Sequence, residues 1–363
     1  MSRELEIQHK LALLRVELER RGANTLRLKG NDWLFWATGG ADHTVLLASE
    51  TGVAEIVITH QDAWILTDEI EAARLKGEQF SPGYEMQIRT WTDLNHNDAF
   101  VARVSNGDKV LCDRPGPGET FLSAELHAER RRLTATEIGR YREVGSSAAR
   151  AMTEVLSLAK ATWSELELAG AAAECLFARG LQPALILAAG ANRLSLYRHP
   201  LPTKQRLGER AMLVFCARGF GLYANLTRFV SFRELSSEDG RRHQHLMYLE
   251  AVALNASTPG KPLKDIYHAL SLAYSQLEQP RAIRAHHQGG LTGYLAREAI
   301  AYPGSEWVLE RTNALAWNPS LEGGKIEDTF LLADNGKLEN LTYDIRWPHV
   351  DFAGRPRPQI LLA

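Results

Sequence analysis

Gly221-Leu-Tyr-Ala-Asn-Leu-Thr-Arg-Phe229 (GLYANLTRF) opens a strand-like run that continues to Phe232. Strand-like segments at Ala184–Ala188 and Ala211–Cys216 precede it. Further upstream, Thr134-x-x-Glu137 and Thr162-x-x-Glu165 are capping-box patterns, each predicting the start of a helix. The first helix runs through Ile138, Tyr141, Val144, Ala148 and Met152 to about Ala159; the second is rich in Ala and Leu and ends near Gly180. Downstream, helices are expected over about Gly240–Ala256 and Leu263–Leu277, then strands at Asn313–Trp317 and Lys325–Ala333. Helices and antiparallel-looking strands in separate runs predict an α+β domain.

The N-terminal part has a different texture. Glu4 to Arg21 carries apolar Ile7, Leu11, Leu14 and Leu18 between charges and stops at Gly22, an amphipathic helix with a glycine C-cap. Thr25–Leu28, Thr44–Ala48, Val53–Thr59 and Ala63–Thr67 read as strands of a small α/β domain. Asp113–Glu119 (DRPGPGE) is either a domain junction or a tight turn. The expected domains are residues 1–125 and 130–363. Trp33, Leu34, Phe35 and Trp36 suit either a contact surface or a core.

Composition narrows the function classes. A net charge of −2 gives no electrostatic case for nucleic acid or an anionic membrane. The longest apolar runs fall short of a bilayer span. Cys112, Cys175 and Cys216 are odd in number and widely spaced, with neither disulfide framework nor metal spacing. The charged N-terminus does not read as a signal peptide, and a reducing cytoplasm is the expected location.

Five ordered stretches resemble the creatinase/aminopeptidase P/prolidase family. They are Thr134–Gly145, GLYANLTRF, His287-x-x-Gly290-Leu291, Asn318-Pro319, and Lys325-Ile-Glu-Asp-Thr with Asn340-Leu-Thr and Trp347-Pro348. The resemblance implies a pita-bread C-terminal domain preceded by a smaller creatinase-type α/β domain, and by analogy a homodimer acting on a small-molecule or short-peptide substrate.

Active members of that family hold two divalent metals with two Asp, one His and two Glu. Carried over position by position, Val214 and Asn225 stand at the two Asp, His287 at the His, Asn318 at the first Glu and Glu327 at the second. One His and one carboxylate cannot offset two dications, so neither a dinuclear centre nor any other cofactor is expected. At most a single zinc-like ion would fit at His287, Glu327 and Cys216. The resemblance marks His199, in Tyr-Arg-His-Pro-Leu-Pro-Thr, as a proton-transfer or substrate-contacting residue.

The expected catalytic residues are therefore His199, His287 and Glu327. Asn225, Asn318, Tyr294, Thr227, Arg228 and Cys216 are the expected substrate-binding residues, with Thr292 joining the polar lining and Arg193 a further candidate for a carboxylate. His286 is expected to point away from the site on a strand. The implied function is metal-independent chemistry at a C–N bond of an amino-acid-derived or peptide-like substrate, with an altered-metal peptidase and a non-catalytic binding or scaffold protein as alternatives.

Overall fold

The computed structural model describes residues 2–363, and the chain divides into two compact units after Glu137. In the first unit Ser2 caps helix Arg3–Arg21, which ends at Gly22 in the left-handed conformation. Ile7, Leu11, Leu14 and Leu18 are buried, as their spacing requires. A six-stranded mixed sheet follows, in the order Glu85–Arg89, Ala63–Asp68, Thr51–Ile58, Thr25–Gly30, Val110–Cys112, Glu119–Phe121. The Pro-Gly stretch at 113–119 is a turn inside this unit, joining two parallel strands. Trp33, Leu34, Phe35 and Trp36 form most of helix Asn31–Ala37 and are core.

The expected strand at Thr44–Ala48 is a loop. Asp42 Oδ1 accepts from the Thr44 amide and hydroxyl, a local turn that competes with strand pairing, and Val45 and Leu46 are exposed.

The second unit is α+β. Helix Ala135–Leu158 starts at the Thr134 capping box, where Thr134 N–H donates to Glu137 at 2.8 Å. Helices Ala135–Leu158 and Glu165–Phe177 supply Val144, Met152, Leu168 and Leu176 to a core whose other side comes from Leu213, Phe215, Leu226 and Val230. Those last residues belong to a four-stranded sheet ordered Leu361–Leu362, Leu222–Ser231, Arg210–Gly219, Gln182–Gly190.

A five-stranded sheet is ordered Ala299–Ile300, Gly289–Thr292, Ala314–Trp317, Asp328–Leu332, Leu338–Asn340. It packs on helices Ser237–Ala256 and Leu263–Gln276 through Leu249, Ile266, Leu270, Leu291 and Phe330. The two sheets meet at an isolated bridge between Thr227 and Glu327, where Thr227 N–H donates to the Glu327 carbonyl at 3.1 Å.

That junction needs small residues nearby. Gly289 has φ +98°, and a Cβ there would press on the carbonyl of Ala316 in the paired strand. Gly289→Ala is therefore expected to destabilise by about 2–4 kcal/mol, read as a lowered urea midpoint with an unchanged slope. A loss below about 1 kcal/mol would show that the strand can shift to admit a methyl group.

Candidate functional site

The loop bearing His199 is held by one buried carboxylate. Glu165 has no exposed side-chain surface, and it accepts from Gly190 N–H at 2.9 Å, Thr203 N–H at 2.9 Å and Thr203 Oγ–H at 2.7 Å. The Arg193 guanidinium completes the set, donating also to the Leu201 carbonyl at 2.9 Å. Both ends of the loop are thus fastened to one side chain. The expected capping box at Thr162 and Glu165 is corrected: the box lies two residues later, at Ser164 and Glu167, which leaves Glu165 for the loop. Arg193 correspondingly binds a carboxylate of the chain itself.

His199, His286 and His287 come together at the end of this loop. One ring nitrogen from each lies within 4.8 Å of the others. His199 Nε2 and His286 Nε2 are 2.8 Å apart, and the His286 and His287 rings stack at 4.4 Å. His286 does not point away on a strand; it occupies the bend before strand Gly289–Thr292, and this bend turns both neighbouring imidazoles to one side. Burial, then Lys325 and the neighbouring imidazoles, push His286 down to about 2. Burial, Arg297 and Lys325 push His287 down to about 4, and burial with Lys325 lowers His199. All three are neutral at pH 7, so across the 2.8 Å contact one Nε2 carries a proton and the other a lone pair.

The sign of the pH effect follows. An unfolded histidine takes up its proton near 6.5 while buried His286 does not until about 2. Stability is complete above the unfolded value and is lost as pH falls below it. Between pH 7 and about pH 5 the native protein is expected to lose roughly 2 kcal/mol through His286 alone. His286→Asn is expected to flatten that loss in urea titrations at the two pH values, and an equal loss in both proteins would rule it out.

Glu327 is 1 % exposed and faces two cations. Arg297 Nη2 donates to Oε1 at 2.5 Å, Lys325 Nζ lies 3.3 Å from Oε2, and Thr227 Oγ–H donates to Oε2 at 2.9 Å. Burial would raise this carboxyl, but Lys325 and Arg297 outweigh it and hold it at about 2. It is therefore an ion-paired anion.

The other expected residues fall into two groups. Asn225 and Asn318 are buried, each with an unpartnered Oδ1. Asn225 Nδ2 donates to Thr292 Oγ1 at 3.0 Å, and the Asn318 amide donates to the Gln288 carbonyl, next to His287, at 3.0 Å. Val214 pairs across the strands with Thr227, and Cys216 with Asn225. Tyr294 is buried at 2 % exposure.

Arg228 is a correction. Its guanidinium donates to Asp328 at 2.6 Å and to the carbonyls of Thr227, Glu327 and Thr342, so both terminal nitrogens are committed within the chain. Asp328 also pairs with Arg357, which pairs with Glu250, making a buried structural network.

Residues 139–334 match the profile of metallopeptidase family M24. The chain belongs to that family. Its fold is shared by an Xaa-Pro dipeptidase from Bacillus anthracis, at 17% identity and TM-score 0.79 over 98% of this chain and 100% of that one. A prolidase from Pyrococcus horikoshii superposes with TM-score 0.78 at 16% identity, covering 92% of this chain and 98% of its own. An X-Pro aminopeptidase from Thermotoga maritima gives TM-score 0.78 at 16% identity, with 97% and 99% covered. No curated protein matches in sequence. The pita-bread architecture expected from the motifs is thus the architecture found.

The metals implied by M24 membership do not fit the donors present. Of the five positions to which the resemblance assigns ligands, Val214 offers no donor, Asn225 and Asn318 offer neutral amides, and Glu327 is taken by two cations. A single ion at His287, Glu327 and Cys216 fares no better. Burial first, then Glu327, pushes the Cys216 thiol up to about 11, which works against its ionising to a ligand. Among the described residues the one group with metal-ligand spacing is the histidine trio itself.

Sequence reasoning missed His286, Lys325, Arg297 and Glu165. Lys325, two residues from Glu327, lay within a quoted motif and could have been noticed. Arg297 carries no local signal, because its partner is thirty residues away.

Proposed function

We propose that this M24 protein is a hydrolase that works without a metal, cleaving a C–N bond of a small amino-acid-derived or peptide-like substrate by histidine-mediated proton transfer. The observation that carries the reading is the 2.8 Å Nε2–Nε2 contact of His199 with His286, whose ring stacks on His287. A neutral imidazole lone pair accepts a proton from water as the water oxygen attacks the carbonyl carbon. The same imidazole then returns that proton to the departing nitrogen as the C–N bond breaks. Asn225 and Asn318 present unpaired carbonyl oxygens that can accept N–H groups and so orient the substrate. The solved structures that share the fold include proteins named for Xaa-Pro dipeptides and peptides, which makes short peptides the first substrates to try.

The test is turnover of a dipeptide and amide panel, with and without excess chelator, by the native protein and by His199→Ala. The expected result is chelator-resistant activity reduced about a hundredfold or more in the variant. Two tightly bound ions per chain, or activity abolished by chelator and restored by divalent metal, would overturn the reading.

A further inference from the structure

Two consecutive histidines present their rings to one side of the chain, where a regular strand would send them to opposite faces. The bend at Ala285 and His286 lays the His286 and His287 rings on each other at 4.4 Å, with 25° between their planes. A separate, exposed loop residue, His199, brings its Nε2 to 2.8 Å from His286 Nε2. Three imidazoles from two distant stretches of chain therefore converge, one nitrogen of each within 4.8 Å of the others.

Hydrogen bonding leaves this trio unfinished. The contact between His199 and His286 uses one nitrogen of each ring. Among the described residues neither nitrogen of His287 makes a hydrogen bond, and its Nδ1 is buried. Buried polar atoms are ordinarily paired, and a metal ion takes up an imidazole lone pair where no protein donor does. Burial and Lys325 keep protons off His286, so an ion meets little competition from them at neutral pH.

We infer that His199, His286 and His287 form a reversible site for one zinc-type transition-metal dication, held by three imidazole nitrogens. Such donors select Zn²⁺, Co²⁺, Ni²⁺ or Cu²⁺ over Mg²⁺ and Ca²⁺, which require oxygen. Nitrogens at about 2.0–2.1 Å from a tetrahedral ion lie about 3.4 Å apart. That spacing falls between the 2.8 Å contact and the 4.8 Å limit of the trio, so side-chain rotation is enough to admit the ion. Of the positions to which the resemblance assigns ligands, His287 alone takes part.

The surroundings set the affinity. Lys325 and Arg297 oppose a dication, Glu327 favours it, and Glu298, next to Arg297 in the chain, adds a second carboxylate. Neither His286 Nδ1 nor His287 Nδ1 donates to a carboxylate or carbonyl, the contact that orients the ligands of permanent sites. Binding is therefore micromolar and exchangeable. A bound ion occupies the lone pairs that proton transfer uses, so it inhibits the proposed reaction. That consequence rests on the hydrolase reading; the site itself does not.

Untagged protein stripped with chelator and titrated with Co²⁺ tests the site. One Co²⁺ per chain is expected, with a visible absorption band that one equivalent of Zn²⁺ removes and excess Mg²⁺ leaves in place. His199→Ala, which spares the core, and His286→Asn should each weaken Co²⁺ binding by about tenfold or more. Cys216→Ser should bind as the native protein does. Absence of stoichiometric Co²⁺, two ions per chain, binding unaltered in both histidine variants, or binding lost in Cys216→Ser would overturn the inference.

Turnover by the same preparations is read separately, and Zn²⁺ is expected to abolish it with chelator restoring it. Turnover raised by Zn²⁺ would leave the site standing and remove the metal-free reading. Turnover that depends on His199 in a chain that binds no Co²⁺ would do the reverse.

Discussion

Glu165→Ala is expected to release the loop that carries His199 and to destabilise the second unit by about 3–5 kcal/mol. The substitution leaves the Arg193 guanidinium, two backbone N–H groups and the Thr203 hydroxyl without the acceptor they share. Each orphaned donor costs about 1–3 kcal/mol if it stays dry, so the loop will open to water in preference. Hydrogen exchange should then rise at Gly190 and Thr203, and chemistry that depends on His199 should fall with it. Glu165→Gln is the instructive partner, since it keeps the shape but turns part of the acceptor into a donor facing Arg193. An Ala variant with native exchange at Gly190 and a stability loss under about 1 kcal/mol would show that the loop holds itself.

Glu327→Gln is expected to cost about as much, for an electrostatic reason. It leaves Lys325 and Arg297 buried with no anion, beside three imidazoles that cannot help. The loss should be roughly 3–5 kcal/mol at pH 7. In the native protein this carboxyl has its proton affinity lowered from 4.5 to about 2. A depressed folded value stabilises above the unfolded value and ceases to do so as pH falls through the folded one. The difference between native and variant should therefore be full above about pH 4.5 and shrink toward pH 2, by an amount on the order of 3 kcal/mol. Chemical denaturation across that range measures it. A difference independent of pH would mean that Glu327 is not the anion of the pair.

The two predictions concern residues that the linear sequence treats differently. Glu327 stands in a recognisable motif, but its partners were not legible there. Glu165 looked like half of a helix cap, because the Thr-x-x-Glu pattern fits the start of a helix. A second pattern, Ser164-x-x-Glu167, overlaps it by two residues, and local reading cannot choose between them. The tertiary structure chooses, because Glu165 falls on the buried side of the helix where the loop amides need an acceptor.

By itself the sequence determined the α+β, pita-bread character of the second unit. This is a local property, carried by periodicity, capping residues and ordered motifs within single elements. Only the tertiary structure decided that His286 faces His199, that Arg297 and Lys325 converge on Glu327, and that Arg228 is spent on Asp328. Those relations join residues far apart in the chain. A bend before a strand fixes the direction of His286, a choice that an alternating pattern cannot register. The ion pairing of Glu327 depends on which long, flexible cationic side chains reach it, and that is settled by packing rather than by spacing.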